Sequence, residues 1–329
     1  MRKILHYTAV VLGLFFITLN VQAQAPENFT KAKEIAKERI YYDQNQNQKS
    51  QGTIYCGCDW EWVGKSGGRV NLASCGYKVR TQQTRAERIE WEHIVPAWVF
   101  GHQRQCWQNG GRTNCVKNDP VFGKIEADLH NLAPSIGEVN GDRSNFSFGQ
   151  LPAQAPYQYG QCRSRVDFAS RTFEPRNEVK GQVARVYFYL HDRYNLSMSR
   201  QQQQLLMAWD NAYPPTAWEK ERDNRIARIV GYHNPFVTGE VKWQLGHKNS
   251  GAGLSATNSA PATKAKTETP KQVNTLQSED IKGNVNSKIY HFAHCSGYKT
   301  MSDKNAILFK TESEAIKAGY RLANNCKQP

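Results

Sequence analysis

Residues 87–98, ERIEWEHIVPAW, set three glutamates and a histidine among isoleucine, tryptophan and valine. On a strand, Glu90 and Glu92 point one way while Ile89, Trp91 and His93 point the other. Two further segments carry similar residue types: Glu126 with Asp128-Leu129-His130-Asn131, and Asn140 within EVNGDRSN. Together they suit hydrolysis of a phosphodiester, which needs few parts. A base must take a proton from the attacking water, and histidine suits that task because its pKa lies near neutrality. A cation must neutralise charge gathering on the phosphoryl oxygens and the leaving oxygen. Mg²⁺ takes hard oxygen ligands and keeps several waters, so one carboxylate and one amide oxygen suffice from the chain. Plainer readings compete. Taken alone, His93 suits a hydrogen-bonded core position and Glu92 suits the surface. Asn131 rivals Asn140 as the amide ligand, and His130 suits either packing or the orientation of a ligand.

These residues need elements to hold them. Residues 27–42 have helical spacing, with Ala32, Ile35, Ala36 and Ile40 on one face and Thr30 or Asn28 as cap. From 51 to 85 glycine and cysteine are frequent, and TIYCGCDWEWV and GYKVR read as short strands. Residues 87–98 read as a strand stopped by Pro96, and Glu92 and His93 serve one site only if the strand breaks there. A long Gly- and Asn-rich excursion spans 101–125. Residues 128–136 read as a second short strand, and 138–148 as a turn leading into a short helix or loop. The stretch 149–175 reads as irregular. Three helices follow: 176–194, one opened by Ser199 with Gln202, and one opened by Thr216 with Glu219 and closed by Gly231. Arg222, Arg225 and Arg228, three apart on the last of these, read as a solvated basic face.

The chain has 329 residues and a formal net charge of +14. Residues 1–23 read as a secretory signal: Arg2 and Lys3, an apolar run AVVLGLFFITL, then Val21-Gln22-Ala23. The run is short for a retained anchor, and no later stretch is apolar enough to span a membrane. Loss of Arg2 and Lys3 leaves +12, an attraction for polyanions such as nucleic acid, lipopolysaccharide or acidic polysaccharide. The eight cysteines, an even number in an exported chain, point to disulfides. Cys106–Cys115 is the plausible local pair, closing a Gly-Gly turn, and the remaining pairings within 24–245 stay open. Residues 247–286, rich in Ser, Thr, Ala, Lys and Pro, read as a disordered tether between a domain over 24–246 and a small module over 287–329.

Several long stretches carry a resemblance: EWEHIVPAWVFGHQRQCWQNGGRTNC, EADLHNLAPSIGEVNGDRSNF, YGQC, YFYLHDRYNLSMSRQQ and AWDNAYPPTAWEKERDNRIARIVGYHNPFV. In that order they resemble the bacterial endonuclease I family of periplasmic and secreted nucleases, over most of residues 24–245. The resemblance implies an α+β fold, a mixed α/β nuclease domain built around a ββα-metal (His-Me finger) motif. It implies cleavage of DNA, and often RNA, with little sequence preference and with 5′-phosphate products. Position by position it makes His93 the general base, and Glu92 and Asn140 the ligands of Mg²⁺, with Mn²⁺ or Ca²⁺ as alternatives. Arg112 falls where the family sets an arginine against the phosphate, and Glu126 on a further acid acting through water. Asn145 and His233-Asn234-Pro235 match the family in structural roles.

The tail resembles the small metal-binding module attached to alkylation-repair methyltransferases, which holds zinc with four cysteines or a close variant. Here Cys295 and Cys326 remain, with Ala323 where another cysteine is expected. His291 and His294 could complete a Cys₂His₂ set at an atypical spacing, and the preferred reading in an oxidising compartment is a Cys295–Cys326 disulfide rather than zinc. The combined reading is a periplasmic or extracellular, monomeric, Mg²⁺-dependent endonuclease that grips DNA and RNA by backbone contacts and is therefore salt-sensitive. A non-catalytic nucleic-acid or envelope-binding protein is the alternative. A zinc protease lacks its HExxH.

Overall fold

The computed structural model describes residues 24–45, 51–254, 281–309, 312–323 and 326. They fall into two compact units, one within residues 1–261 and one within 262–329. The expected leader, 1–23, lies outside the described residues.

The first unit opens with α1 (Phe29–Ile35), where the Asn28 side chain accepts from the Lys31 N–H. A wider π-type turn over Ala36–Ile40 extends it. Ala32, Ala36, Ile40 and Tyr41 bury against Trp91, Leu132, Ile226 and Ile229, the face that the sequence spacing predicts. A hairpin of β1 (Trp60–Val63) and β2 (Gly67–Val70) follows, then the single turn α2 (Gln83–Ala86) and β3 (Ile89–His93). GYKVR is not a strand: Tyr77 makes an isolated bridge to Gly160.

The excursion 101–125 is helical rather than irregular. It holds α3 (Ala97–Gly101), α4 (Gln105–Gln108), α5 (Gly111–Asn118) and α6 (Pro120–Glu126). Gly110 and Gly111, at φ +125° and +63°, turn α4 into α5, and the Cys106–Cys115 disulfide closes that turn. Asp119 caps α6 by accepting from the N–H groups of Val121 and Phe122, with Pro120 in the first turn.

After a single 3₁₀ turn at Leu129–Asn131, β4 (Leu132–Ile136) pairs antiparallel with β3, from His93 opposite Leu132 to Ile89 opposite Ile136. It passes directly into α7 (Gly137–Arg143). Glycine is needed at that junction, because a Cβ on Gly137 would sit 2.5 Å from the Arg85 carbonyl oxygen. Strand, strand and helix form one compact ββα unit.

The stretch 149–175 is also more ordered than its composition suggests. β6 (Arg165–Asp167) and β7 (Thr172–Glu174) join β5 (Ser147–Phe148) in a sheet with β7 central. Then come α8 (Asn177–Arg193), α9 (Arg200–Ala212), α10 (Ala217–Val230) and the short α11 (Pro235–Thr238). Ser199 and Thr216 cap α9 and α10, accepting from the N–H groups of Gln202 and Glu219, and Gly231 ends α10 at φ +86°. α8 is buried from Val179 to His191 and forms the spine of the main core, beside Phe148, Phe173, Trp209 and Phe236. Of its charged members, Lys180 pairs with Glu174, and Arg185 with Glu219 and Asp210.

The solvated arginine face expected on α10 is not found. Arg222 and Arg225 are buried, and only Arg228 of the three is exposed. Arg222 donates to the Tyr41 hydroxyl and to the carbonyls of Leu129, His130 and Leu132. Those carbonyls lie in and just after a single 3₁₀ turn, where the Leu129 carbonyl also accepts from the Leu132 N–H, and a buried guanidinium fork supplies the further donors.

Two more disulfides, Cys56–Cys162 and Cys58–Cys75, lock the first unit. Residues 247–254 rest on the end of α8, with His247 Nε2 against Asp192 and the N–H of Gly253 donating to the Arg193 carbonyl. The second unit contains β8 (Ile281–Asn284), β9 (Ile289–His291), α12 (Ser296–Thr300), β10 (Ala306–Phe309), α13 (Glu312–Lys317) and β11 (Arg321–Leu322). Its sheet runs in the order β10-β8-β9-β11 over Tyr290, Phe309 and Tyr320, closed by Cys295–Cys326. Of the expected tether, residues 255–280 lie outside the described residues. The fold is α+β, and no helix among the described residues is long and apolar enough to cross a membrane.

Candidate active site

β3 ends at His93, and the chain bends at Ile94-Val95 before Pro96. The break expected between Glu92 and His93 therefore comes one residue later, on the last rung of the ladder. Asn131 fixes this corner: its Oδ1 accepts from the Val95 N–H at 2.7 Å and its Nδ2 donates to the Val95 carbonyl at 2.9 Å. Both ends of that amide are committed to backbone. Arg143 holds the same corner from α7, donating to the carbonyls of His93 at 3.2 Å and Ile94 at 2.6 Å.

Glu92 is 2% exposed and faces α7. Arg143 Nη1 lies 3.0 Å from its Oε1, and the Tyr55 hydroxyl donates to the same oxygen at 2.6 Å. Burial pushes the Glu92 carboxyl above its ordinary pKa, against the pull of Arg143 and the Tyr55 bond. Asn140 sits one turn before Arg143 on α7, on neighbouring helix positions. Its Nδ2 donates to Glu90 Oε2 at 3.0 Å. So α7 lies along the glutamate face of β3, with Asn140 against Glu90 and Arg143 against Glu92.

His93, the last residue of β3, reaches the end of α6. Its Nε2 lies 2.8 Å from the Glu126 backbone carbonyl. A carbonyl only accepts, so Nε2 carries the proton and the neutral ring keeps its lone pair on Nδ1. No protein hydrogen bond among the described residues reaches Nδ1. Burial lowers the imidazole pKa to about 3, with Arg112, Arg143 and Lys33 adding to the fall. The ring is flanked by Phe29 from α1, with centroids 4.7 Å apart, and by Phe100 from α3 at 6.1 Å. The base form is thus built in at neutral pH.

Arg112, on α5, donates through Nε to the Glu126 side chain at 2.7 Å. The arginine side chain is 47% exposed and the glutamate 6%, so the pair presents a cation to solvent on an anchored acid. The Arg112 guanidinium also lies 5.6 Å from the Phe29 ring, and Lys33 Nζ 4.7 Å from it. A cleft of about 410 Å³ opens alongside, lined by Phe29, Lys33, Arg88, Glu90, Trp91 and Asn140. Neither Glu92 nor His93 lines that cleft. His130 is buried, with Nδ1 3.8 Å from Asp223 Oδ1, and burial holds its pKa well below the ordinary value.

The match to known proteins follows this geometry. The Endonuclease I family model matches residues 28–240, about two thirds of the chain and all of the ββα unit. The chain belongs to the endonuclease I family. It is therefore a nuclease. It is 42% identical to Endonuclease-1 of Buchnera aphidicola subsp. Baizongia pistaciae over 73% of this chain and 99% of that one. It is 46% identical to an extracellular deoxyribonuclease of Aeromonas hydrophila, over 72% of this chain and 97% of that one. A periplasmic deoxyribonuclease of Aeromonas hydrophila is 44% identical over 71% of this chain and 96% of its own length.

Within the endonuclease I family match, the donor set suits a hard divalent cation. Among the described residues, both partners of Glu92 reach Oε1, which leaves Oε2, and the Glu90 bond takes the nitrogen end of Asn140, which leaves Oδ1. One carboxylate oxygen and one amide oxygen are the ligands Mg²⁺ accepts alongside water. Tyr55, Glu90, Arg143 and Phe29 surround these groups and were missed in the sequence. Only Glu90 had a signal, its place two residues before Glu92 on one strand face. In the second unit, ligand atoms of His294, Cys295 and Cys326 lie within 4.8 Å of one another, but the two sulfurs form a disulfide. His291 is not part of that group.

Proposed function

We propose that this protein is a secreted, Mg²⁺-dependent endonuclease that hydrolyses DNA without sequence preference, accepts RNA, and leaves 5′-phosphates. The observation that carries it is His93: a neutral imidazole whose Nε2 is committed to the Glu126 carbonyl and whose Nδ1 is left for a water. Export is supported by the leader-like residues 1–23, four disulfides, and the extracellular and periplasmic names of the relatives. The protein acts as a monomer, gripping the sugar–phosphate backbone through its net positive charge.

Glu92 Oε2 and Asn140 Oδ1 would hold the cation. When bound, it neutralises charge on the phosphoryl oxygens and the departing O3′. His93 Nδ1 takes a proton from the attacking water as the water oxygen bonds to phosphorus and the P–O3′ bond breaks. The Nε2–H bond to the Glu126 carbonyl steadies the imidazolium that forms. Arg112, anchored by Glu126, turns its free guanidinium edge to the phosphate. O3′ leaves with a proton from solvent.

The test is supercoiled plasmid incubated with the mature chain and Mg²⁺ or EDTA, beside Glu92→Gln and Asn140→Ala. Nicking with Mg²⁺ alone, and a raised Mg²⁺ requirement in both variants, is expected. Cutting that EDTA leaves untouched removes the metal from the reading. Retarded but uncut DNA with every ion makes the protein a binder.

A further inference from the structure

We infer that Glu90 is a positioning residue, which turns the Asn140 amide so that its oxygen, and not its nitrogen, faces the cation. The inference rests on the reading of Asn140 as a ligand. An amide offers two ends of similar shape and opposite polarity, and only the oxygen end binds a hard cation. A carboxylate only accepts, so Glu90 Oε2, 3.0 Å from Asn140 Nδ2, fixes the NH₂ end on its own side. The oxygen is left on the other.

Glu90 is itself held from two directions. Arg85 donates from Nε to Oε1 at 3.0 Å and from Nη2 to Oε2. Arg88 donates from Nε and Nη2 to Oε1 at 3.0 and 2.7 Å. Arg85, on α2, in turn packs against α7. A Cβ on Gly141 would come within 2.0 Å of its Nη1, and a Cβ on Gly137 within 2.5 Å of its carbonyl oxygen. Gly137 and Gly141, four apart, leave the flat helix face on which the arginine rests. The chain of contacts is closed: α7 seats Arg85, Arg85 and Arg88 fix Glu90, and Glu90 orients the side chain that α7 itself presents. Partners of this kind, one step removed from a metal, typically carry a 10- to 100-fold share of affinity.

The probe is Mn²⁺ alone, its free fraction read by electron paramagnetic resonance in the mature protein without nucleic acid. Four chains form a cycle: wild type, Glu90→Gln, Asn140→Asp and the double variant, each checked for native circular dichroism. The glutamine introduced by Glu90→Gln can donate to the amide oxygen and flip Asn140, so this variant should weaken Mn²⁺ about 10- to 100-fold. The carboxylate introduced by Asn140→Asp has oxygen at both ends and needs no orientation. In that background Glu90→Gln should cost clearly less than in the wild type, leaving only the small loss that comes from removing one nearby negative charge. Unchanged Mn²⁺ affinity in the single Glu90→Gln variant overturns the inference. Equal losses in both backgrounds also overturn it, making Glu90 a ligand in its own right. A separate Asn140→Ala chain with wild-type affinity removes Asn140 as a ligand, which fails the underlying reading rather than the orientation step alone.

Discussion

At the scale of single residues, the site sets two buried groups against each other. Glu92 is kept out of water beside one guanidinium and one phenol, while His93, next to it at the end of the same strand, is kept neutral by burial. Removing one partner of a buried ion pair leaves the other charge uncompensated, at about 3–5 kcal/mol. Arg143→Met should cost that much in urea unfolding, because it also strips donors from the His93 and Ile94 carbonyls. A loss below about 1 kcal/mol would mean that Glu92 is protonated in the resting protein. A second expectation concerns acid. Burial holds His93 at about 3, His191 at about 4 and His130 well below its ordinary value. The unfolded chain binds those protons near 6.5, so stability is whole above that pH and falls as pH drops toward 4, by about 1.4 kcal/mol per unit per histidine. Thermal midpoints measured from pH 7 to 4.5 should fall steadily, and a flat profile would show these imidazoles protonated in the fold. His93 and Glu92 were legible in the sequence as a pair of chemically apt neighbours. Tyr55 and Arg143 were not, because the contacts that give them meaning span 37 residues of chain to Glu92 and 50 to the His93 carbonyl.

At the scale of elements, the site depends on one corner. β3 must stop after His93, and Asn131 stops it by capturing both polar groups of Val95. Asn131→Ala leaves a buried N–H and C=O without partners, at about 3 kcal/mol. Cleavage should fall as well, because Ile94 and the Arg143 fork lose their footing. Retained stability with lost cleavage would instead make Asn131 a ligand. The capped helices α9 and α10 were readable because their signals are local: Ser199, Thr216 and Gly231 act within one turn. The helices over 97–126 were hidden by their own composition, since short turns rich in Gly, Asn and Gln lack an apolar period. The Asp119-Pro120 start of α6 was the one clear mark there. The buried arginines of α10 were illegible for another reason. Spacing shows that they share a face, but not that the facing 3₁₀ turn needs donors.

For the molecule as a whole, disulfides carry stability that a loop-rich fold would otherwise lack. Cys56–Cys162 closes a loop with a sequence separation of 106, worth about 4–5 kcal/mol on the chain-entropy estimate. Cys58–Cys75 and Cys106–Cys115 add shorter loops, and the latter pins α5, which carries Arg112. Reduction without denaturant should lower the thermal midpoint and abolish cutting. Full activity in the reduced protein would contradict a requirement for an oxidising compartment. Two local pairs, Cys106–Cys115 and Cys295–Cys326, could be read from spacing and compartment. The two long-range partners of Cys56 and Cys58 could not, because neighbouring cysteines at i and i+2 offer the same options to Cys75 and Cys162.

The central claim is that His93 Nδ1 is the general base, and one comparison tests it most directly. Plasmid cleavage and binding of a fluorescent duplex are measured together for the wild-type chain and His93→Ala in Mg²⁺. Loss of the base should slow cleavage by about 10²- to 10⁴-fold while binding stays unchanged. Cleavage within about tenfold of wild type, at equal binding, would contradict it and move proton transfer to another group.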